Sequence, residues 1–169
     1  MYKDTCLFQL CAKEHPFVVW MDASVHFHTD SISHVIESAK TLTVMAAEGE
    51  GSITKNTVKK MFEILDEEPC TFRNIPEIQA GFIIYYGSSF GVNYFMRPWI
   101  SCALTLGCMV PNNNPLPLVD CTKIRPKYHR CHRFEQSMMG ILLNRLFHQD
   151  LSRHVIKDEI YTFKRGQRC

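Results

Sequence analysis

Short, uninterrupted apolar runs separated by helical segments constrain the fold of this chain more than any other feature of its sequence. The run from Phe17 to Met21 is wholly apolar and stops at Asp22, and Gly81 to Tyr86 forms a second such run. Runs of this length are typical of strands that are buried on both faces of a parallel sheet. A further strand is predicted from Leu42 to Ala46.

Helical periodicity fills the intervals between these strands. Apolar residues recur every three or four positions over 32–39 and 58–65, which is typical of amphipathic helices. A longer helix is predicted around Trp99, with Pro98 either kinking it or marking its start, and another from Glu135 to His148. We therefore predict a single α/β domain over residues 1–169, with a mainly parallel sheet flanked by helices.

Two segments of this domain are predicted to lack regular structure. Residues 111–131 are rich in asparagine and proline and read as an irregular loop bracketed by Cys and Pro residues. Residues 160–169 carry several basic side chains and are predicted to form a peripheral tail.

The charge and hydropathy of the chain argue against several classes of protein. Apolar residues make up 46% of the chain and charged residues 21%, as expected of a folded globular protein rather than a disordered one. A net charge of +2 gives no argument for binding nucleic acid. The uncharged run from Ile78 to Met96 has about the length of a membrane span, but it contains polar residues and glycines, so we interpret it as a strand, a loop and a helix start.

Eight cysteines indicate an oxidising compartment, although the start of the sequence has no signal-peptide pattern. Four of them fall within 102–131, where an even cluster around a loop favours disulfides; buried free thiols are the alternative. Cys108 and Cys121 bracket the proline-rich part of the loop and form one candidate bridge. A structural zinc is disfavoured, because two of its candidate ligands are adjacent in sequence. Those candidates are Cys121, His129, Cys131 and His132.

The ends of the predicted strands supply the first site candidates. Ligands of open parallel sheets bind at the carboxyl ends of the strands, and this rule selects Asp22 and the loop from Gly87 to Ser89. A carboxylate at the mouth of a buried strand could hold a divalent cation, which would neutralise the phosphates of a bound nucleotide. The alternative for Asp22 is an ordinary helix-cap or turn aspartate.

The segment 129–137 is the second candidate, because His and Arg residues crowd the start of a predicted helix there. Such cations could bind an anion, or tune Glu135 toward acid–base catalysis. Helix capping alone would also explain Glu135, since a carboxylate in the first turn is stabilised by the helix dipole.

The order of these motifs resembles that of GT-A glycosyltransferases. The strand and acidic motif run from Phe17 to Phe27, the later Ala-Gly strand from Ile78 to Ile84, and the start of a late helix from His132 to Ser137. More closely, residues 2–150 are similar to a family of uncharacterised, glycosyltransferase-like proteins abundant in nematodes. The resemblance implies a GT-A-like fold and the secretory pathway, either the Golgi lumen or the extracellular space.

The resemblance also implies transfer of a sugar from a nucleotide-sugar donor to a glycan or protein acceptor. The cation beside the nucleotide sugar would be Mn²⁺ or Mg²⁺. The implied site residues are Asp22 for the metal, Ala80, Gly81, His132 and Arg133 for the substrate, and Glu135 and Gln136 for catalysis.

Three departures from the GT-A pattern limit what the resemblance implies. The acidic motif reads Asp-Ala-Ser instead of Asp-x-Asp, so only Asp22 is carried over, and Glu135 stands where the family usually has Asp. Only 21 residues precede Asp22, too few for the nucleotide-binding half of such an enzyme. We therefore expect this chain to match the C-terminal part of a transferase and to be inactive alone. The alternative is a non-catalytic paralogue that binds a glycan or a protein partner.

Overall fold

The computed structural model describes residues 15–28, 32–111, 131–157 and 159–163. These residues form a mixed α/β fold with a four-stranded sheet, a two-stranded sheet and flanking helices. In chain order the strands are β1 (Phe17–Met21), β2 (Val25–Phe27), β3 (Val44–Ser52), β4 (Pro76–Tyr86), β5 (Val155–Ile156) and β6 (Tyr161–Phe163). The α-helices are α1 (Ser33–Leu42), α2 (Lys59–Ile64), α3 (Arg97–Leu104) and α4 (Phe134–Phe147). Shorter 3₁₀ or π-helical segments span Pro69–Phe72, Gly91–Met96 and His148–His154.

The larger sheet has the strand order β1-β4-β3-β5. Strand β4 is antiparallel to both of its neighbours, with Met21 of β1 opposite Phe82 and Val44 of β3 opposite Tyr85. Strands β3 and β5 are parallel. The smaller sheet pairs β2 with β6 in antiparallel register, so that Val25 lies opposite Phe163.

The prediction of an α/β fold with helices around a sheet is therefore confirmed, but the expectation of a mainly parallel sheet is wrong. Two of the three strand pairs in the larger sheet are antiparallel. An apolar run does not contain the direction of the neighbouring strands. The predicted burial on both faces is also wrong for β1, which lies at the edge of the sheet and has Val19 and Met21 40% and 44% exposed. The GT-A-like arrangement stays a prediction.

Burial on both faces of β4 explains its apolar sequence. Alternate side chains of a strand point to opposite faces. Ile83 and Tyr85 belong to the larger core, with Trp99 and residues of α4, whereas Phe82 and Ile84 belong to a second core beneath α1.

The helices follow the apolar periodicity closely, and their boundaries follow local chemistry. Helix α3 begins at Arg97 and has Pro98 in its first turn. Of the two predicted possibilities, a kink or a helix start, the proline therefore marks the start. The preceding turn, Gly91–Met96, is π-helical. Within the described ranges no helix has both the length and the apolar character that crossing a membrane requires.

The predicted loop and tail are described only in part. Residues 112–130 of the predicted loop and residues 164–169 of the predicted tail lie outside the described residues. The start of the tail is not peripheral, since Tyr161–Phe163 forms β6 and Tyr161 is buried.

Cysteine pairing is confirmed for the region around α3, but not in the pattern considered above. Cys108 is bridged to Cys102, six positions earlier, with their Cα atoms 5.2 Å apart. The candidate bridge from Cys108 to Cys121 is therefore wrong, because the short turn after α3 brings Cys102 within reach first. Cys131 is also disulfide-bonded, and Cys70 is an exposed free thiol.

Candidate functional site

Asp22 lies in the tight turn that connects the two sheets. Its backbone N–H donates to the Gly81 carbonyl (2.8 Å), which extends the pairing of β1 with β4 by one residue. Its own carbonyl accepts from the Val25 N–H (3.0 Å), which closes the turn leading into β2. The backbone of Asp22 is thus that of a turn aspartate, as the alternative interpretation expected.

The side chain of Asp22 lies over Gly81 on the middle of β4. A Cβ placed on Gly81 would be 2.8 Å from Asp22 Oδ2 and 2.9 Å from Phe163 Cε1. Both distances are well below van der Waals contact, so glycine is required for the carboxylate and the ring to meet there. The resemblance implied that Asp22 and Gly81 belong to one site, and the structure brings these two residues together. The close approach at Gly81 is made by the chain's own side chains.

A groove of about 520 Å³ is lined in part by Phe163. It lies between the far part of β3, strand β5 and strand β6. Its polar and aromatic lining includes Glu48, Glu50, Gln79, Lys157, Thr162 and Phe163. Sequence reasoning missed this groove, because residues 160–169 were interpreted as a tail and not as one of its walls.

The groove offers several kinds of hydrogen-bonding group at a concave surface. The carboxylates of Glu48 and Glu50 accept hydrogen bonds, the Lys157 ammonium donates, and the Gln79 amide does both. The ring of Phe163 adds an apolar surface beside them. This mixture suits a neutral, polyhydroxylated ligand better than a strongly charged one.

A second polar cluster surrounds Glu77 near the start of β4. Glu77 is only 2% exposed, and its Oε2 accepts a hydrogen bond from Asn56 Nδ2 at 2.7 Å. Arg133 Nη1 lies 3.5 Å from the same oxygen, which makes a largely buried ion pair. The Gln136 amide also faces the carboxylate. The geometry of a hydrogen bond is not reached, however. Neither the Nε2 atom of Gln136 nor the Oε1 atom of Glu77 has a hydrogen-bond partner among the described residues.

The charge of Glu77 is balanced by opposing effects. Burial raises its pKa above the ordinary value, while the Arg133 guanidinium and the Asn56 and Gln136 amides pull the pKa down. Burial is the largest of these influences, so the net direction is upward. The pair therefore fixes the start of α4 against β4 while retaining a carboxylate that is easier to protonate than usual.

Backbone hydrogen bonds strengthen the same connection. The Asn56 carbonyl accepts from the Arg133 N–H (3.2 Å) and from Ser137 Oγ (3.0 Å). Cys131 Sγ lies 3.2 Å from Asn56 Oδ1, and as a disulfide sulfur it has no proton to donate, so this is a packing contact. The N-cap position of α2 is held by Val58, and Asn56 lies at the centre of this network.

His132, predicted to bind substrate, is completely buried. Its Nε2 hydrogen-bonds to the Met109 carbonyl at 2.9 Å, and its ring packs edge-on against Phe134. Its Nδ1 has no partner among the described residues. Burial lowers the pKa of His132 to about 4, so the ring is neutral near pH 7 and serves to hold the chain before α4.

The remaining predicted residues occupy mixed environments. Glu135 is in the first turn of α4, half-buried, and its carbonyl accepts a hydrogen bond from Trp99 Nε1 (3.1 Å). Ala80 packs partly buried against the larger core. Gln136 faces Glu77, which is four residues from Gly81, or at most about 14 Å along an extended strand. The Asp22 and α4 candidates thus sit at different points along one strand.

The loop from Gly87 to Ser89 does not share a sheet edge with Asp22. Phe17 pairs with Tyr86, so this loop adjoins the start of β1, and Asp22 follows its end. The expectation that both candidates meet at one edge is wrong, because β1 and β4 are antiparallel. Ser88 instead starts the next helix, with its Oγ accepting from the Gly91 N–H (3.0 Å).

Metal ligation has limited support from these residues. No group of three or more His, Cys, Asp or Glu side chains within the described ranges is arranged to hold a metal ion. Asp22 therefore lacks further protein ligands in that part of the chain, and the Mn²⁺ or Mg²⁺ role stays a prediction. Cys131 is disulfide-bonded and so is not available as a zinc ligand. The other zinc candidates Cys121 and His129 lie outside the described residues.

The sequence contains a pattern from which the buried position of Glu77 could have been predicted. A single carboxylate stands between Pro76 and Ile78 at the head of a strand that is otherwise apolar or weakly polar. Buried carboxylates of this kind need a partner. That partner could have been sought among the arginines near α4.

Comparison with protein-family models, with curated proteins and with solved structures finds no match to this chain. The resemblance to glycosyltransferase-like proteins thus remains an interpretation of the motifs, and the function is argued from the site alone.

Proposed function

We propose that this chain is a glycosyltransferase-like domain whose groove beside Phe163 binds the sugar of a nucleotide-sugar donor or of an acceptor glycan. The observation that supports the proposal most strongly is the meeting of Asp22, Gly81 and Phe163. The acidic motif and the Ala-Gly strand, which are far apart in sequence, meet at a ring that also lines the groove.

The chemistry of the groove supports a sugar ligand. Hydroxyl groups donate to carboxylates in short, charge-assisted hydrogen bonds, and Glu48 and Glu50 supply two such acceptors. The C–H face of a sugar ring packs well on an aromatic surface such as Phe163. Lys157 and Gln79 can donate to sugar oxygens, so each kind of ligand group has a counterpart.

In the transfer reaction itself, Asp22 would lie next to the donor. Bound Mn²⁺ or Mg²⁺ would neutralise the charge of the departing nucleotide phosphates. The chain's own contribution would be to hold the sugar in the groove and to exclude water with Phe163. The resemblance assigns acid–base catalysis to Glu135 and a contact with sugar hydroxyls to Gln136, although neither residue lines the groove and the Gln136 amide faces Glu77.

A non-catalytic, glycan-binding domain is the second candidate. A specific observation favours it, since three of the residues proposed for chemistry are turned inward. His132 donates a hydrogen bond to the Met109 carbonyl, and the side chains of Arg133 and Gln136 face the buried Glu77. Side chains engaged in this way are poorly placed to contact a ligand in the groove.

Binding and transfer can be tested separately with two matched variants. Asp22→Asn removes the charge at the site, and Asp66→Asn is its control, because Asp66 is an exposed aspartate remote from the groove lining. We expect Asp22→Asn to weaken binding of nucleoside-diphosphate sugars or monosaccharides at least tenfold in saturation-transfer NMR, and Asp66→Asn to leave it unchanged. Equal binding by the two variants would remove Asp22 from the site.

Turnover distinguishes the two candidate functions. Release of nucleoside diphosphate from a panel of sugar donors with Mn²⁺, lost in Asp22→Asn and in Glu135→Ala, would support transfer. Sugar binding without any such release would fit the non-catalytic domain and equally the C-terminal part of a transferase, which is expected to be inactive alone. The absence of both binding and release would contradict both candidates.

A further inference from the structure

The groove beside Phe163 adjoins a second depression across a shared wall, and the two together are called the cleft. A second depression, of about 350 Å³, lies next to it and shares Glu48, Val155 and Lys157 as lining residues. We take this shared wall as the boundary between two compartments of the cleft. Val155 belongs to the short edge strand β5, and Lys157 follows it directly, so the boundary is built on the larger sheet.

The two compartments differ in chemistry. The first compartment, beside Phe163, has a more polar lining, with the carboxylates of Glu48 and Glu50, the Gln79 amide and the Lys157 ammonium. The second compartment has apolar walls from Ile75, Pro76 and Leu151, with the polar His148, Gln149 and Ser152 on the 3₁₀ segment beside them. It therefore suits a unit with both an apolar patch and a few polar groups.

We propose that the cleft binds a linear glycan of at least two units, with one sugar in each compartment and the linkage between them passing over Lys157. This inference rests on the proposed function and deepens it, because it turns a sugar-binding groove into an oligosaccharide-binding cleft. The unit in the second compartment presents an apolar face or an N-acetyl methyl group to Ile75, Pro76 and Leu151.

Lys157 is suited to the boundary by its position and its chemistry. Lys157 lines both compartments, so its single ammonium group could donate to an oxygen on either side of the linkage. Glu48 lies across the same boundary and accepts hydrogen bonds from hydroxyl groups of either unit. Both residues are exposed and need no rearrangement to contact a ligand.

The test compares sugars of increasing length in the intact chain. The probes are reducing-end-labelled manno-, cello- and chito-oligosaccharides of one to four units, with affinity measured by fluorescence polarisation and competition. Ser152→Trp fills the second compartment with a large ring. Arg153→Trp is the matched control, since it places the same ring one residue later, where the side chain does not line the cleft.

We expect affinity for at least one series to rise tenfold or more from one unit to three in the natural sequence and in Arg153→Trp. In Ser152→Trp the rise should disappear, leaving only the affinity shown for a single unit. Binding that is independent of length, or equal length dependence in the two variants, would overturn the two-unit cleft while keeping the sugar site. Failure of every probe to bind at any length would overturn the proposed sugar site as well.

Discussion

The buried ring of His132 should make the folded state sensitive to mild acid. In the folded state Nε2–H donates to the Met109 carbonyl, and a proton added to Nδ1 would be buried without an acceptor among the described residues. Protonation of the folded form is therefore costly, which is why burial lowers the pKa from 6.5 to about 4.

The size of the effect follows from the two pKa values. As the pH falls through 6.5, the unfolded chain takes up the proton first, so the free energy of unfolding decreases from there down to about pH 4. A shift from 6.5 to about 4 corresponds to a full loss of about 3 kcal/mol, at roughly 1.4 kcal/mol per pH unit. About 2 kcal/mol of this should already be lost at pH 5.

Urea unfolding at pH 7.5 and pH 5.0 measures the loss, and His132→Gln isolates it. Glutamine can still donate to the Met109 carbonyl but does not titrate, so the variant should lose about 2 kcal/mol less than the natural sequence between the two pH values. The comparison is needed because burial also lowers the pKa of His154. Equal pH dependence in both proteins, or an NMR titration of His132 with a midpoint near 6.5, would refute the reasoning.

Two further changes test the framework around the site. Glu77→Ala should lower the free energy of unfolding in urea by about 2–4 kcal/mol, because it leaves the partly buried Arg133 unpaired. Glu77→Gln should lower it less. A loss below about 1 kcal/mol for Glu77→Ala would contradict the role of the ion pair in stabilising the fold. Gly91→Ala places a Cβ 2.3 Å from Thr43 Cγ2, so we expect a loss of about 1–3 kcal/mol in thermal unfolding, and an unchanged melting temperature would show that the contact is easily relieved.

Apolar pattern was sufficient to predict the elements but not how they pair. The run Phe17–Met21 is β1 with the predicted bounds, and α1 buries Val35 and Ala39 of the predicted apolar face. Strand direction depends on connections and neighbours, so the same run was compatible with a parallel or an antiparallel β4. The predicted Gly81 strand also begins earlier, at Pro76, because Glu77 interrupts the apolar signal.

The candidate site was predictable only where a local rule applied. Asp22 was selected because a carboxylate ends a strand, whereas Gly81 entered only through the resemblance to glycosyltransferases; the structure brings the two together. The buried Glu77 network and the groove were not found. Their partners come from distant segments, and no local pattern links Asn56 to Arg133 or Phe163 to Gly81.

The pairing of β2 with β6 has a consequence for how the chain acquires its site. Val25 and Phe163 come from opposite ends of the described chain, and their pairing requires a very large loop to be closed. Contacts of such high sequence separation form slowly and late in folding. The antiparallel pair of β3 and β4 is closer in sequence and can form first, whereas Phe163 reaches Gly81 only after β6 has formed. A chain emerging from the ribosome would thus form part of the larger sheet before the groove is complete. Ligand binding to the groove would then indicate that folding is complete.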